Sequence, residues 1–146
     1  MEWGDYFITI AEQVKLKSKD KYTKIGAVIV GKENEIVSTG YNSFPRGIND
    51  SVVERQERPE KYYWFEHAER NAIYNAALIG VSTKDYTIYI TSEAPCADCA
   101  RGIINAGIKR VVCRSNRVTH QEKWIESSKR SLRMFEEAGI EVEFYE

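Results

Sequence analysis

The chain has 146 residues, the size of one domain, with 42% apolar and 29% charged residues, enough to bury a core without disulfide or metal staples. Lys and Arg total 21 against 22 for Asp and Glu, a formal charge of −1. The missing basic surplus argues against a dedicated binder of long nucleic acid and leaves room for a small anionic ligand held by local cations. Met1 to Tyr6 is acidic and lacks a basic region before an apolar run, so no secretory signal is expected. The longest apolar stretch, about 27–30, is far too short for a membrane span. The three cysteines, Cys96, Cys99 and Cys113, are odd in number. They point to a reducing, cytoplasmic compartment rather than a disulfide framework.

Residues 3–17 read as a helix, with Trp3, Phe7, Ile10 and Val14 on one stripe. The run 25–30 is a buried strand and 35–41 a second one, paired as an antiparallel hairpin. From Asn42 to Glu66 the chain is polar, without clear periodicity, and contains Pro45, Gly47, Pro59 and a charge cluster at 54–61. Loops of that length are often functional. An alanine-rich helix at 67–79 ends at Gly80, and its small residues 68, 72 and 76 allow close packing on a sheet. Then follow a strand (86–91), a short helix (96–106), a strand (108–113), a long helix (121–138) with Trp124, Ile125, Leu132 and Phe135 as apolar points, and a strand alternating Ile140, Val142 and Phe144. Connections through helices make the late strands parallel. The expected architecture is a single α/β domain over 1–146, a three-layer α/β/α sandwich with a five-stranded mixed sheet.

Two pieces carry chemistry: His67-Ala68-Glu69 opening one helix, and Pro95-Cys96-Ala97-Asp98-Cys99 opening the next. Cysteines at i and i+3 share a helical face and can meet one metal ion, and a helix N-terminus favours their thiolate form. His67 becomes a third ligand if the two helix starts face each other. Three protein ligands on zinc leave a fourth position for water, the arrangement of a catalytic site. Zinc lowers the pKa of such a water to about 7. Glu69 lies two residues after His67, about 200° apart on a regular helix, so the two share a site only if His67 sits at the irregular helix start. Glu69 would then move protons rather than bind metal.

Together the pieces match the His-x-Glu…Pro-Cys-x-x-Cys pattern of zinc-dependent nucleobase deaminases. The segment His67-Ala68-Glu69-Arg70-Asn71-Ala72-Ile73 further resembles the His-Ala-Glu-x-Asn-Ala-Ile of the deoxycytidylate (dCMP) deaminase family. Ser18-Lys19-Asp20 with 25–30 is similar to its first loop and strand, 40–47 to its Gly-Tyr-Asn-Gly-x-Pro-x-Gly loop, and 99–108 to its second zinc helix. The resemblance spans roughly 5–113. It implies a cytidine deaminase-like fold, Zn2+ on His67, Cys96 and Cys99, and Glu69 as proton carrier. It further implies a small nucleotide substrate converted from dCMP to dUMP plus ammonia, in a homo-oligomer. Asn42 would hydrogen-bond the deoxyribose, and Lys19, Lys24 and Arg46 would meet the 5′-phosphate. This sequence departs from the family at Ser43, which replaces a glycine, and at 91–95, one residue longer before the Pro-Cys pair and expected to bulge.

Blander readings stand beside these. Cys96 and Cys99 fit a redox pair or structural zinc, and Glu69 a carboxylate on a helix dipole. Asn42 fits a simple turn residue, and Lys19, Lys24 and Arg46 a solvated surface. Tyr62, Tyr63, Trp64 and Phe65 fit a base-stacking wall, a subunit contact or core packing. Cys113 reads as a small buried hydrophobe and His120 as a loop residue. Rival functions are deamination of another base, nucleoside or modified nucleotide (guanine, cytidine, tRNA adenosine) and a non-catalytic zinc-containing nucleotide-binding module.

Overall fold

The structure, a computed structural model, describes residues 1–115 and 122–146, with side chains from 125 onward in the second stretch. His120 and the side chain of Trp124 lie outside the described residues. The elements are α1 (Trp3–Val14), β1 (Gly26–Val30), β2 (Ile36–Tyr41), α2 (Lys61–Trp64), α3 (Ala68–Ile79), β3 (Thr87–Ile90), α4 (Ala97–Asn105), β4 (Arg110–Arg114), α5 (Glu122–Ala138) and β5 (Glu141–Tyr145). The first helix tightens into a 3-10 turn at Lys15–Lys17. The segment read as one long loop holds a 3-10 turn at Val53–Gln56 and the single-turn α2, both too short for a periodic signal in the sequence.

The strands form one mixed sheet in the order β2-β1-β3-β4-β5. The hairpin β1–β2 and the β1–β3 pair are antiparallel, whereas β3–β4 and β4–β5, joined through α4 and α5, are parallel. Side-chain alternation divides the core. Ala27, Ile29, Ile88, Ile90, Val111 and Cys113 face α3, α4 and α5. Val28, Val30, Tyr89 and Val112 face Phe7 and Ala11 of α1. The expected three layers are present, with one of them only α1 thick. Trp3 remains exposed, its ring stacked on Phe7 at 5.6 Å. Phe144, expected inside, is 45% exposed, because β5 is an edge strand with a neighbour on one side only.

Two glycines set the close approaches that place the site. A Cβ on Gly26 would lie 2.1 Å from the Ala11 carbonyl oxygen, and one on Gly40 would lie 2.3 Å from the Ala72 nitrogen. The second contact lets the alanine face of α3, Ala68, Ala72 and Ala76, rest directly on β2. Side chains secure it: Asn71 and Asn75 donate to the Tyr41 and Thr39 carbonyls, and the Ser38 hydroxyl donates to the Ala72 carbonyl.

Candidate active site

The residue that precedes α3 is His67, with extended backbone angles (φ −79°, ψ 152°). This irregular start removes the angular conflict with Glu69. His67 leaves the helix axis, while Glu69 sits in the first turn, 4% exposed. Glu66 steadies the entry, its carboxylate accepting the His67 N–H at 2.9 Å and pairing with Arg70 at 2.7 Å. On the neighbouring helix Cys96 is the N-cap, and its sulfur accepts the Cys99 N–H at 3.4 Å. Both helices start at the same end of the sheet, which brings the Cys96 and Cys99 sulfurs 3.5 Å and 3.3 Å from His67 Nδ1.

The three ligand atoms lie within 4.8 Å of one another, so one ion can touch all three. Tetrahedral zinc with bonds of about 2.3 Å to sulfur and 2.0 Å to nitrogen needs an S···N separation of roughly 3.5 Å. The donor set fits zinc in type, number and spacing, and Nδ1 is the His67 atom that lies beside both sulfurs. Electrostatics favour one thiolate within the trio. The Cys96 thiol is pushed down to about 4 by the Cys99 thiol and the His67 ring beside it, while Cys99 holds the proton of the pair. The adjacent Cys96 sulfur raises the His67 imidazole. Burial pushes the Glu69 carboxyl up, favouring its protonated form. Cys113, buried in β4, has its thiol pushed up to about 12 by burial and is inert packing.

The remaining expected site residues fall in two other places. Lys19 and Arg46 line a cleft of about 520 Å³ together with Lys17, Phe44 and Asn71. His67, Glu69, Cys96 and Cys99 do not line it, although Glu66, next to His67, does. In that cleft Lys19 pairs with Asp50 at 2.8 Å and Arg46 donates to Asn75 at 2.5 Å. Lys24 is exposed and outside the cleft. Asn42 is 7% exposed. Its Oδ1 accepts the Ile25 N–H at 2.9 Å, and its Nδ2 donates to Asp20 at 3.1 Å and to the Thr23 carbonyl at 2.8 Å. Ser43 forms a two-way backbone bridge with Glu66 and accepts the Asn71 amide at 3.2 Å, tying the loop to the start of α3. The longer approach at 91–94 is a run of bends. It is anchored by Thr91 accepting the Gly26 N–H at 3.0 Å and by Ser92 accepting the Arg114 N–H at 2.8 Å.

Three residues escaped sequence reasoning. Asp20 and Lys61 form a buried ion pair at 2.8 Å across 41 residues of chain. Arg70, at the variable position of the His-Ala-Glu-x-Asn pattern, lays its stem along Gly102 of α4. Burial counts against its charge, but Cys99, Glu66, Cys96 and Asp98 favour it. No local pattern announces such partners, because each contact is made by the fold.

A model of the cytidine and deoxycytidylate deaminase zinc-binding region matches residues 1–115. The chain belongs to the cytidine and deoxycytidylate deaminase family. An uncharacterised deaminase of Aliivibrio fischeri is 40% identical over 141 residues, covering 97% of this chain and 92% of that protein. The deoxycytidylate deaminase of Homo sapiens is 39% identical over 122 residues, 80% of this chain and 67% of that protein. Among solved structures, the dCMP deaminase of cyanophage S-TIM5 in complex with dCMP and dUMP superposes with a TM-score of 0.75 at 26% identity, covering 97% and 95% of the two chains. The fold of this family member is therefore cytidine deaminase-like, and its metal trio lies within the matched zinc-binding region. Among the described residues, no helix is long and apolar enough to cross a membrane.

Proposed function

We propose that this protein hydrolyses the exocyclic amine of a pyrimidine nucleotide, converting dCMP and water to dUMP and ammonia. The observation that carries the reading is a buried carboxyl, Glu69, beside the His67–Cys96–Cys99 trio but outside it. A purely structural zinc has no use for a proton carrier. His67, Cys96 and Cys99 would hold zinc, which would supply an activated water at neutral pH. Glu69 would take a proton from the attacking water, deliver it to the ring nitrogen, and carry the proton of the hydroxyl added at C4 to the departing amine. Two relatives support the base and the phosphate: the human protein named deoxycytidylate deaminase and the phage enzyme solved with dCMP and dUMP.

In the same reading Asn42 accepts a hydrogen bond from the sugar. Lys19 and Arg46, with Lys24 on the same loop as Lys19, supply positive charge for the 5′-phosphate. We also read the protein as a cytoplasmic homo-oligomer. The free thiols of its metal trio need a reducing setting, and Tyr74, Leu78 and Ile79 expose an apolar strip on α3 that a second copy can cover. Sedimentation of the purified protein at the mass of one chain would remove the oligomer from this reading.

The deciding experiment compares ammonia release from dCMP, deoxycytidine, CMP, dCTP, cytidine and guanine. A charge-assisted phosphate contact predicts a catalytic efficiency about 10- to 150-fold higher on dCMP than on deoxycytidine. Equal efficiency on the two would retire the nucleotide reading, and turnover of guanine alone would move the substrate outside the pyrimidines.

A further inference from the structure

Asn42 has almost nothing left to offer a ligand. A side-chain amide carries two N–H donors and two acceptor lone pairs. Here both donors are used, on Asp20 Oδ2 and the Thr23 carbonyl, and one lone pair takes the Ile25 N–H. What remains is one acceptor position on Oδ1. A phosphate oxygen cannot use it, because it too accepts. A hydroxyl can, and dCMP has a single sugar hydroxyl, at C3′. The commitment of the amide therefore selects a donor.

One of the two donors goes to a carboxylate in an unusual place. The Asp20 side chain is 4% exposed and accepts four groups: the Tyr22 and Thr23 N–H groups at 2.8 and 3.2 Å, the Asn42 amide, and the Lys61 ammonium at 2.8 Å. A carboxylate this buried is stable only with a cation beside it. Lys61 is that cation. Its side chain is 13% exposed, and its ammonium lies 5.1 Å from the Tyr22 ring centre and 5.4 Å from that of Phe65. The segment 51–65 thus reaches back to the first loop through one ion pair. Its far end joins the metal site, since Glu66 bridges to Ser43 and leads into His67.

We propose that Lys61 is a positioning residue for substrate recognition: through Asp20 it holds the Asn42 amide with its open acceptor toward the sugar, so that the enzyme requires a 3′-hydroxyl. Lys61 itself touches no reacting atom. The inference rests on the reading of Asn42 as the sugar contact, and the test separates the two.

The experiment measures kcat and KM on dCMP and on 2′,3′-dideoxycytidine 5′-monophosphate, with zinc content as a control, for the wild-type enzyme, Asn42→Ala, Lys61→Met and Lys61→Arg. The double variant Asp20→Asn/Lys61→Met covers the case in which an orphaned Asp20 prevents folding. It removes both charges and keeps an acceptor for Tyr22 and Thr23. The wild type is expected to prefer dCMP by about tenfold or more, the size of one buried hydrogen bond to substrate. Lys61→Met, or the double variant, raises KM for dCMP about tenfold, leaves kcat within about twofold and erases most of the preference. Lys61→Arg restores it. If Asn42→Ala loses the preference while the Lys61 variants keep it, the proposal is overturned and the sugar contact stands. A fall in kcat at unchanged KM in the Lys61 variants also overturns it. If Asn42→Ala keeps the preference, the sugar contact itself is wrong and the proposal falls with it.

Discussion

The hydroxyl of Ser127, on α5, accepts the backbone N–H of Ala97 at 2.9 Å, so a side chain from another helix caps the first turn of α4, one residue after Cys96. Helix N-termini leave their first N–H groups without intrahelical partners. Here two are satisfied from outside the backbone ladder, Ala97 by Ser127 and Cys99 by the Cys96 sulfur. Ser131, fully buried, donates back to the Ser127 carbonyl at 3.1 Å. Ser127→Ala is expected to lower stability by about 1 kcal/mol, as loss of a cap does, while zinc content stays near one per chain. Chemical denaturation with metal analysis reads both numbers. An unchanged denaturation midpoint would show that water replaces the hydroxyl without loss.

Glu69→Gln keeps the size of the buried side chain and removes its titratable carboxyl group. Turnover of dCMP should fall roughly 10²–10⁴-fold, with zinc content and melting temperature close to wild type. Near-normal turnover in that variant would assign the proton transfers to another group.

Removal of the metal should be reversible and decisive. Dialysis against a strong chelator is expected to abolish deamination, and one equivalent of zinc to restore it. Cys99→Ser should bind zinc far more weakly, because a hydroxyl is a much poorer ligand than a thiolate. Full activity of the chelated protein, verified metal-free, would contradict the proposed role of the trio.

Acid should expose the Asp20–Lys61 pair. Burial raises the Asp20 carboxyl, but the Lys61 ammonium and the N–H groups of Tyr22 and Thr23 outweigh it, so the folded value lies below the ordinary 3.8. A carboxyl depressed in the folded state contributes stability that is fully present above its unfolded pKa and is lost as pH falls through the folded one. The pair's contribution therefore persists at neutral pH and disappears below about pH 4. Asp20→Asn/Lys61→Met should flatten that acid limb. Urea midpoints between pH 3 and 7 compare the two proteins, and parallel curves would mean the pair contributes no such dependence.

Much of the molecule was legible in one dimension because its signals are local. A short run of β-branched apolar residues marked β1, the alternation of Ile140, Val142 and Phe144 marked β5, the small residues of 68–76 marked the face of α3, and a glycine marked the end of α3. The metal trio was legible for a related reason. His67 and Cys96 each stand at a helix start, and Cys96 and Cys99 are one helical turn apart, so the chemistry is written in short spacings. The relation of His67 to Glu69 needed one more fact, the extended backbone at 67, which regular helix geometry does not supply. Tertiary structure alone decided the rest. Lys19 and Arg46 share a cleft that the metal ligands do not line, because loop and helix close around them from different parts of the chain. Lys61 meets Asp20 from 41 positions away and Ser127 meets Ala97 from 30. A lone charge or hydroxyl in a polar stretch looks solvated until packing removes the water around it, and only then must it find a partner.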